Sequence, residues 1–154
     1  MKRQDLLTAV DTFVGETARW WISAVESFFP CEVYLATDPM GKPKVGPTNY
    51  RECRRWVDTV AMGRALMALG IIAQPEKVSA AVDVWQYALD HSILVAGEGL
   101  SPSHLHAAYY ILDKQGIKMD TGPILFGPAT FDECERWQRE WAMRQALALI
   151  SSKA

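Results

Sequence analysis

Apolar positions along the chain fall into runs of three- and four-residue spacing, separated by turn chemistry. Between residues 4 and 29, Leu6, Val10, Phe13, Thr17, Trp21, Ala24 and Phe28 recur at helical steps and predict one long amphipathic helix. Gly15 marks a possible bend inside it and Pro30 its end. Val33, Tyr34, Leu35 and Thr37, followed by "DPMGKP", predict a short hairpin. A helix is expected over about 49–69, with Asn49 and Glu52 as a capping box and Gly70 as its stop. Pro75 opens another helix, read to about residue 95, whose apolar face is Val78, Val82, Trp85 and Leu89. Ser101 and Pro102 start a helix through Gln115, with Leu105, Ala108, Tyr109 and Leu112 inward. "IKMDTGPILFGP" predicts a second hairpin, and Thr130 with Glu133 opens a last helix, about 130–151.

Two of these stretches are nearly the same phrase. Laid against each other, Gly41–Leu69 and Gly122–Ile150 agree at eleven of 29 positions without a gap, among them Gly46/Gly127, Pro47/Pro128, Glu52/Glu133, Cys53/Cys134, Arg55/Arg136 and Trp56/Trp137. Each shared type has a physical task. The first glycine turns the hairpin, Gly-Pro ends the strand, and the polar cap with its glutamate starts the helix. The reading is a duplicated hairpin–helix unit, spanning 32–70 and 113–151, packed with three further helices in one domain, 1–154. The fold class is α+β, mainly α. At about 100° per residue, Tyr50, Cys53, Trp56, Val60, Ala61 and Ala68 share one broad face, as do Phe131, Cys134, Trp137, Trp141, Ala142 and Leu149. Those faces read as core. A second stripe lies nearly opposite: Arg55, Met62 and Leu66, matched by Arg136, Met143 and Leu147. It reads either as internal helix packing or as an exposed partner or oligomer surface, since apolar patches with arginine are interface material.

Charge separates the copies. From Gly41 to Arg64 the net charge is +4, through Lys42, Lys44, Arg51, Arg54, Arg55 and Arg64; from Gly122 to Gln145 it is −1. The first copy can meet phosphate or an acidic protein surface. The whole chain carries −2, with a pI of about 5.9, which disfavours a dedicated non-specific nucleic-acid binder. The helices read at 75–95 and 102–115, followed by a hairpin, are similar to a winged helix, but "PSHLHAAYYILDKQ" offers only Lys114 as a positive reader. Three cysteines, an odd number without paired spacing, fit reduced thiols in a cytoplasm. The opening "MKRQDLLTAVDTFVGETARWW" lacks a signal peptide's apolar stretch, and no run approaches a membrane span.

The stretch "PILFGPATFDECERW", with its strand, Gly-Pro, aromatic, Glu, small residue and Arg-Trp, resembles hairpin–helix elements of small accessory proteins of phages and bacterial mobile elements. Cys53 and Cys134 stand where such elements more often carry alanine. The resemblance covers under a third of the chain per copy. It implies a small cytoplasmic protein that acts by binding another macromolecule, and it carries over no catalytic residue.

No local pattern of catalytic chemistry stands out. His104 and His106, two apart on the expected helix, point to different sides and do not chelate together. Neither CxxC nor HxxxH spacing occurs, so no metal and no cofactor are expected. Cys31, after Pro30, is the only loosely placed thiol for a Cys–His pair. "RWWISAVESFF" carries Glu16 and Glu26 around it rather than a basic polar face, so a core helix is favoured over an interfacial one. The expected function is a non-enzymatic protein-binding factor, an inhibitor or adaptor of a host protein complex. Its partner is a host or phage protein, and self-association is open. The candidate binding residues are Lys42, Lys44, Arg51, Arg54, Arg55, Trp56, Met62, Arg136, Trp137 and Met143. The alternative is a DNA- or RNA-binding regulator using the basic first copy.

Overall fold

The computed structural model describes residues 2–25, 33–96, 109–114 and 122–151. Its elements run α1 (Arg3–Ala18), β1 (Trp21–Ala24), β2 (Tyr34–Thr37), β3 (Pro43–Thr48), α2 (Tyr50–Ala68), α3 (Pro75–Asp90), β4 (Ser92–Ala96), β5 (Tyr109–Asp113), β6 (Ile124–Ala129) and α4 (Phe131–Ser151). The fold is α+β and mainly helical. The chain divides into two compact units, 1–82 and 83–154, and the division falls inside α3.

The first unit begins with α1, which buries Leu6, Ala9, Val10 and Phe13. That helix stops at Ala18. Residues 21–24, read from sequence as its continuation, form a strand instead. Trp21 and Ala24 keep helical spacing, but β1 pairs antiparallel with β2, Ile22 opposite Ala36, and this long-range pairing overrides the local pattern. β3 completes the meander in the order β1-β2-β3. α2 lies across all three strands, and α1 packs along α2. Ala36, Cys53 and Val57 form the buried centre between helix and sheet, with Trp20, Ile22, Tyr34, Val45 and Trp56 around them.

The ends of α2 match their sequence signals. Asn49 caps it by accepting the Glu52 N–H at 2.8 Å. The return half of the expected capping box is altered: the Glu52 carboxylate accepts from the Thr48 hydroxyl. At α4 the glutamate turns to the cap side chain itself: Thr130 Oγ1 accepts the Glu133 N–H and donates to Glu133 Oε1. At the other end of α2, Gly70 takes φ 74°. Its N–H reaches Met67 O, and the Ile71 N–H reaches Leu66 O, each at 2.9 Å, which is a Schellman stop.

In the second unit β4-β5-β6 form another antiparallel meander, contacted on every strand by α4. α3 ends at Asp90, and 92–96 is strand, not helix. Residues 109–113, expected in a helix, are the central strand β5; Tyr109 and Leu112 have helical spacing in a stretch apolar enough to read either way. The expected helix start at Ser101 and Pro102, with His104 and His106, lies outside the described residues, as does Cys31. With 92–96 and 109–113 as strands, neither helix of the winged-helix likeness keeps the C-terminal part read for it.

The correspondences between the units reach beyond the hairpin–helix phrase. Counted from each first residue, Leu6, Ala9, Val10 and Phe13 of α1 occupy the helix positions of Val78, Ala81, Val82 and Trp85 of α3, and all eight are buried. Cys53 and Cys134 are both fully buried. Tyr34 meets Tyr50 edge-to-face at 5.4 Å, and Tyr109 meets Phe131 likewise at 5.5 Å. The last strand of each unit shifts register twice against the central strand, and the shift nearer the helix inserts one residue: Tyr34 pairs with Thr48 but Ala36 with Val45, and Tyr109 with Ala129 but Ile111 with Phe126. The bulges contain Gly46-Pro47 and Gly127-Pro128, both cis peptide bonds. Both glycines take positive φ, 105° and 115°, and a Cβ at either would be driven into the carbonyl oxygen of Tyr34 or Tyr109.

Gly46→Ala and Gly127→Ala are therefore each expected to cost about 1–3 kcal/mol. Gly63, inside α2 with nothing within 4 Å of its would-be Cβ, behaves oppositely: Gly63→Ala stabilises by up to about 1 kcal/mol. Thermal unfolding of the three variants checks this, with Tm falling for the first two and rising for the third.

Candidate functional site

The first unit carries a cleft of about 500 Å³ that combines charged and aromatic side chains, lined by Glu16, Arg19, Trp20, Asp38, Pro39, Met40, Lys44, Trp56, Val60 and Arg64. That volume lies in the range of ligand and side-chain sites. Three segments build it. The end of α1 supplies Glu16 and, just beyond, Arg19 and Trp20. The β2–β3 hairpin supplies Asp38, Pro39 and Met40 from its turn and Lys44 from β3. One face of α2 presents Trp56, Val60 and Arg64 at helical spacing.

The floor is aromatic. Trp20 and Trp56 meet edge-to-face with ring centroids 4.8 Å apart, an arrangement that suits the opposite signs of ring edge and face. Around it lie ion pairs. Glu16 holds both Arg19, at 3.4 Å, and Arg64, at 3.4 Å. Lys44 stands 3.8 Å from Asp38. The carboxylates are the covered members: the side chains of Glu16 and Asp38 are 18% and 12% exposed, against 57% for Arg19 and Arg64 and 47% for Lys44. Met40, at the hairpin tip, is 84% exposed.

Asp38 organises the tip. Its Oδ1 accepts the backbone N–H of Met40 at 2.9 Å and of Lys42 at 2.8 Å. The bond from Lys42 N–H is the main reason its carboxyl is held below the ordinary value; partial burial opposes it, and the Met40 N–H and the charges of Lys44 and Lys42 add to it.

The candidate residues read from sequence divide sharply. Trp56 and Lys44 line the cleft. Lys42 and Arg51 are exposed. Arg54 is paired with the buried Asp58 at 3.3 Å, and Arg55 donates to Ser79 Oγ at 2.6 Å. The basic run is thus largely taken up by partners inside its own unit. Met62 is fully buried, as is Met143 in the second unit. The apolar members of their stripes, Met62 with Leu66 and Met143 with Leu147, are all buried, so both methionines leave the set of partner-contacting residues. α2 is covered by the sheet on one side and by α1 on another, which is why a helix of this unit needs two apolar stripes. In the second unit Arg136 is exposed, while Trp137 stacks on Phe126 at 5.3 Å and on Trp141 at 5.6 Å. The other eight lining residues, Glu16, Arg19, Trp20, Asp38, Pro39, Met40, Val60 and Arg64, were not among the candidates read from sequence. A usable signal was present: "DPMGKP" is an Asx turn with an apolar residue at its tip.

The thiols of Cys53 and Cys134 are pushed up from their ordinary value, first by burial and then by the neighbouring Glu52 and Glu133. This is the reverse of what activates a nucleophile. Among the described residues no helix is long and apolar enough to cross a membrane. Comparison with protein-family models, curated proteins and solved structures finds no match.

Asp38 provides a pH test with a definite sign. Its carboxyl is depressed, so what it adds to the tip is complete above about pH 4 and is lost as pH falls through the lowered value. Protection of the Met40 and Lys42 amides, measured as exchange relative to the intrinsic rate at each pH, should fall in that acid window. In Asp38→Asn, which keeps one acceptor oxygen but does not ionise there, this pH dependence should vanish.

Proposed function

We propose that the chain is a non-enzymatic protein-binding factor whose first-unit cleft receives a side-chain anchor from a partner protein. The supporting observation is the composition of the cleft: a tryptophan floor, two half-exposed arginines and an exposed methionine at one rim. These are the residue types enriched where proteins bind proteins. A cytoplasmic phage or mobile-element factor that inhibits or adapts a host complex is a setting consistent with this chemistry. The nucleic-acid reading has less behind it. It needs several cations spaced to neutralise successive phosphates, whereas Arg54 and Arg55 of the basic run are engaged with Asp58 and Ser79, and Lys44 and Arg64 stand beside the carboxylates of Asp38 and Glu16.

The test is capture from bacterial lysate with the immobilised chain and with two variants. Met40→Asp alters the cleft rim. Trp21→Ser alters a residue that is 71% exposed on β1 and does not line the cleft. A stoichiometric protein held by the parent and Trp21→Ser but lost by Met40→Asp, with circular dichroism unchanged, is the expected result. Capture indifferent to Met40→Asp, or recovery of nucleic acid alone, would overturn the proposal.

A further inference from the structure

The cleft carries more than a general taste for proteins, because its charges are arranged unevenly. Three cations, Arg19, Lys44 and Arg64, stand around two carboxylates, Glu16 and Asp38. The carboxylates are covered and the cations are about half exposed. Both arginines spend one nitrogen on the same acceptor: Arg19 through Nη1 and Arg64 through Nε, each to Glu16. A guanidinium has five N–H donors in a planar fork, so most of the donor capacity at this rim is unspent on Glu16. Lys44, at 3.8 Å from Asp38, is in an ion pair too long for a hydrogen bond, so its three donors remain available to an incoming acceptor. An incoming cation would meet three like charges and two acids already engaged. An incoming carboxylate would meet forks suited to its two oxygens.

Next to these donors the floor is apolar. Trp20, Trp56, Val60 and Pro39 make a wall for a ring or a branched aliphatic chain. Met40 extends that wall outward at the hairpin tip, beyond what a small acid would cover. From this juxtaposition we infer that the cleft recognises an acidic peptide segment of its partner. One carboxylate side chain would lie across Arg19, Arg64 and Lys44, and a neighbouring aromatic or large aliphatic side chain would lie on Trp20 and Trp56 against Met40. The inference rests on the protein-binding reading and specifies the partner's chemistry.

The full chain, labelled with nitrogen-15, is titrated with a synthetic peptide, acetyl-Gly-Ser-Glu-Phe-Asp-Leu-Ser-amide, and with the same peptide carrying Gln and Asn for its acids. The indole N–H signals of Trp20 and Trp56 are followed. The acidic peptide should shift both and bind at least about tenfold more tightly than its amide form, with an advantage that shrinks as salt is raised. Arg64→Glu should remove most of that advantage. Lys44→Glu, away from the Glu16 pairs, should reduce it as well, so the result does not hang on a variant that disturbs Glu16. Equal binding of the two peptides, or no shift of either indole, overturns the inference. Phenylacetate binding as tightly as the peptide overturns it in favour of a small-acid site, and a poly-dT oligonucleotide shifting the same signals more strongly overturns it in favour of phosphate. If the acidic preference fails while lysate capture still depends on Met40, the partner's charge is refuted and the protein-binding reading stands.

Discussion

In each unit the last strand shifts register twice against the central strand, and the shift nearer the helix is absorbed at a glycine with positive φ. The bulge brings that strand so close to the central one that the tyrosine carbonyl of β2 or β5 occupies the place of a side chain. Much follows from this close approach. The strand ends at a Thr or Ala beside the cap, and the helix begins immediately. The helix's first aromatic, Tyr50 or Phe131, then lands edge-on against the central-strand tyrosine. A small residue is needed underneath, and both units place a buried cysteine there; in the first unit its thiol lies 3.5 Å from the Tyr34 carbonyl. Close-packed interiors tolerate little change in such a place.

The cleft depends on the same packing. With α2 laid across the sheet, Trp56 sits at the margin of the core and not in its centre. Trp20, in the short connection after α1, comes to its edge. The chain then closes the rim with charge. Glu16 ties α1 to α2 through Arg64, and Asp38 ties the hairpin tip to itself and to Lys44. Exposed ion pairs contribute little stability singly. Here their effect is to hold donor groups in place around an apolar floor.

The second unit uses the same positions differently. Where the first has Val45 and Val60, the second has Phe126 and Trp141. Its Trp137 is stacked on both, whereas Trp56 meets a single ring edge-on and lines open space. Matching positions with different partners thus give the two tryptophans different surroundings.

Both ends of α2 and the starts of α3 and α4 were legible in the chain because their causes are local. Asn49, Gly70, Pro75 and Thr130 act within four residues of themselves, through caps and stops that any context preserves. So was the internal correspondence, since Gly-Pro, Glu, Cys and Trp recur at one spacing. The strands β1, β4 and β5 were not legible. Each has four or five residues, too few for a period of two to be told from a period of 3.6 in an apolar stretch, and only pairing with a distant strand decides between them. Nor could the chain alone say which cations were free or which methionines were buried. That depends on a helix having two covered sides, and on acids such as Asp58, Asp38 and Glu16 being brought to particular bases, which are facts of packing and not of order along the chain.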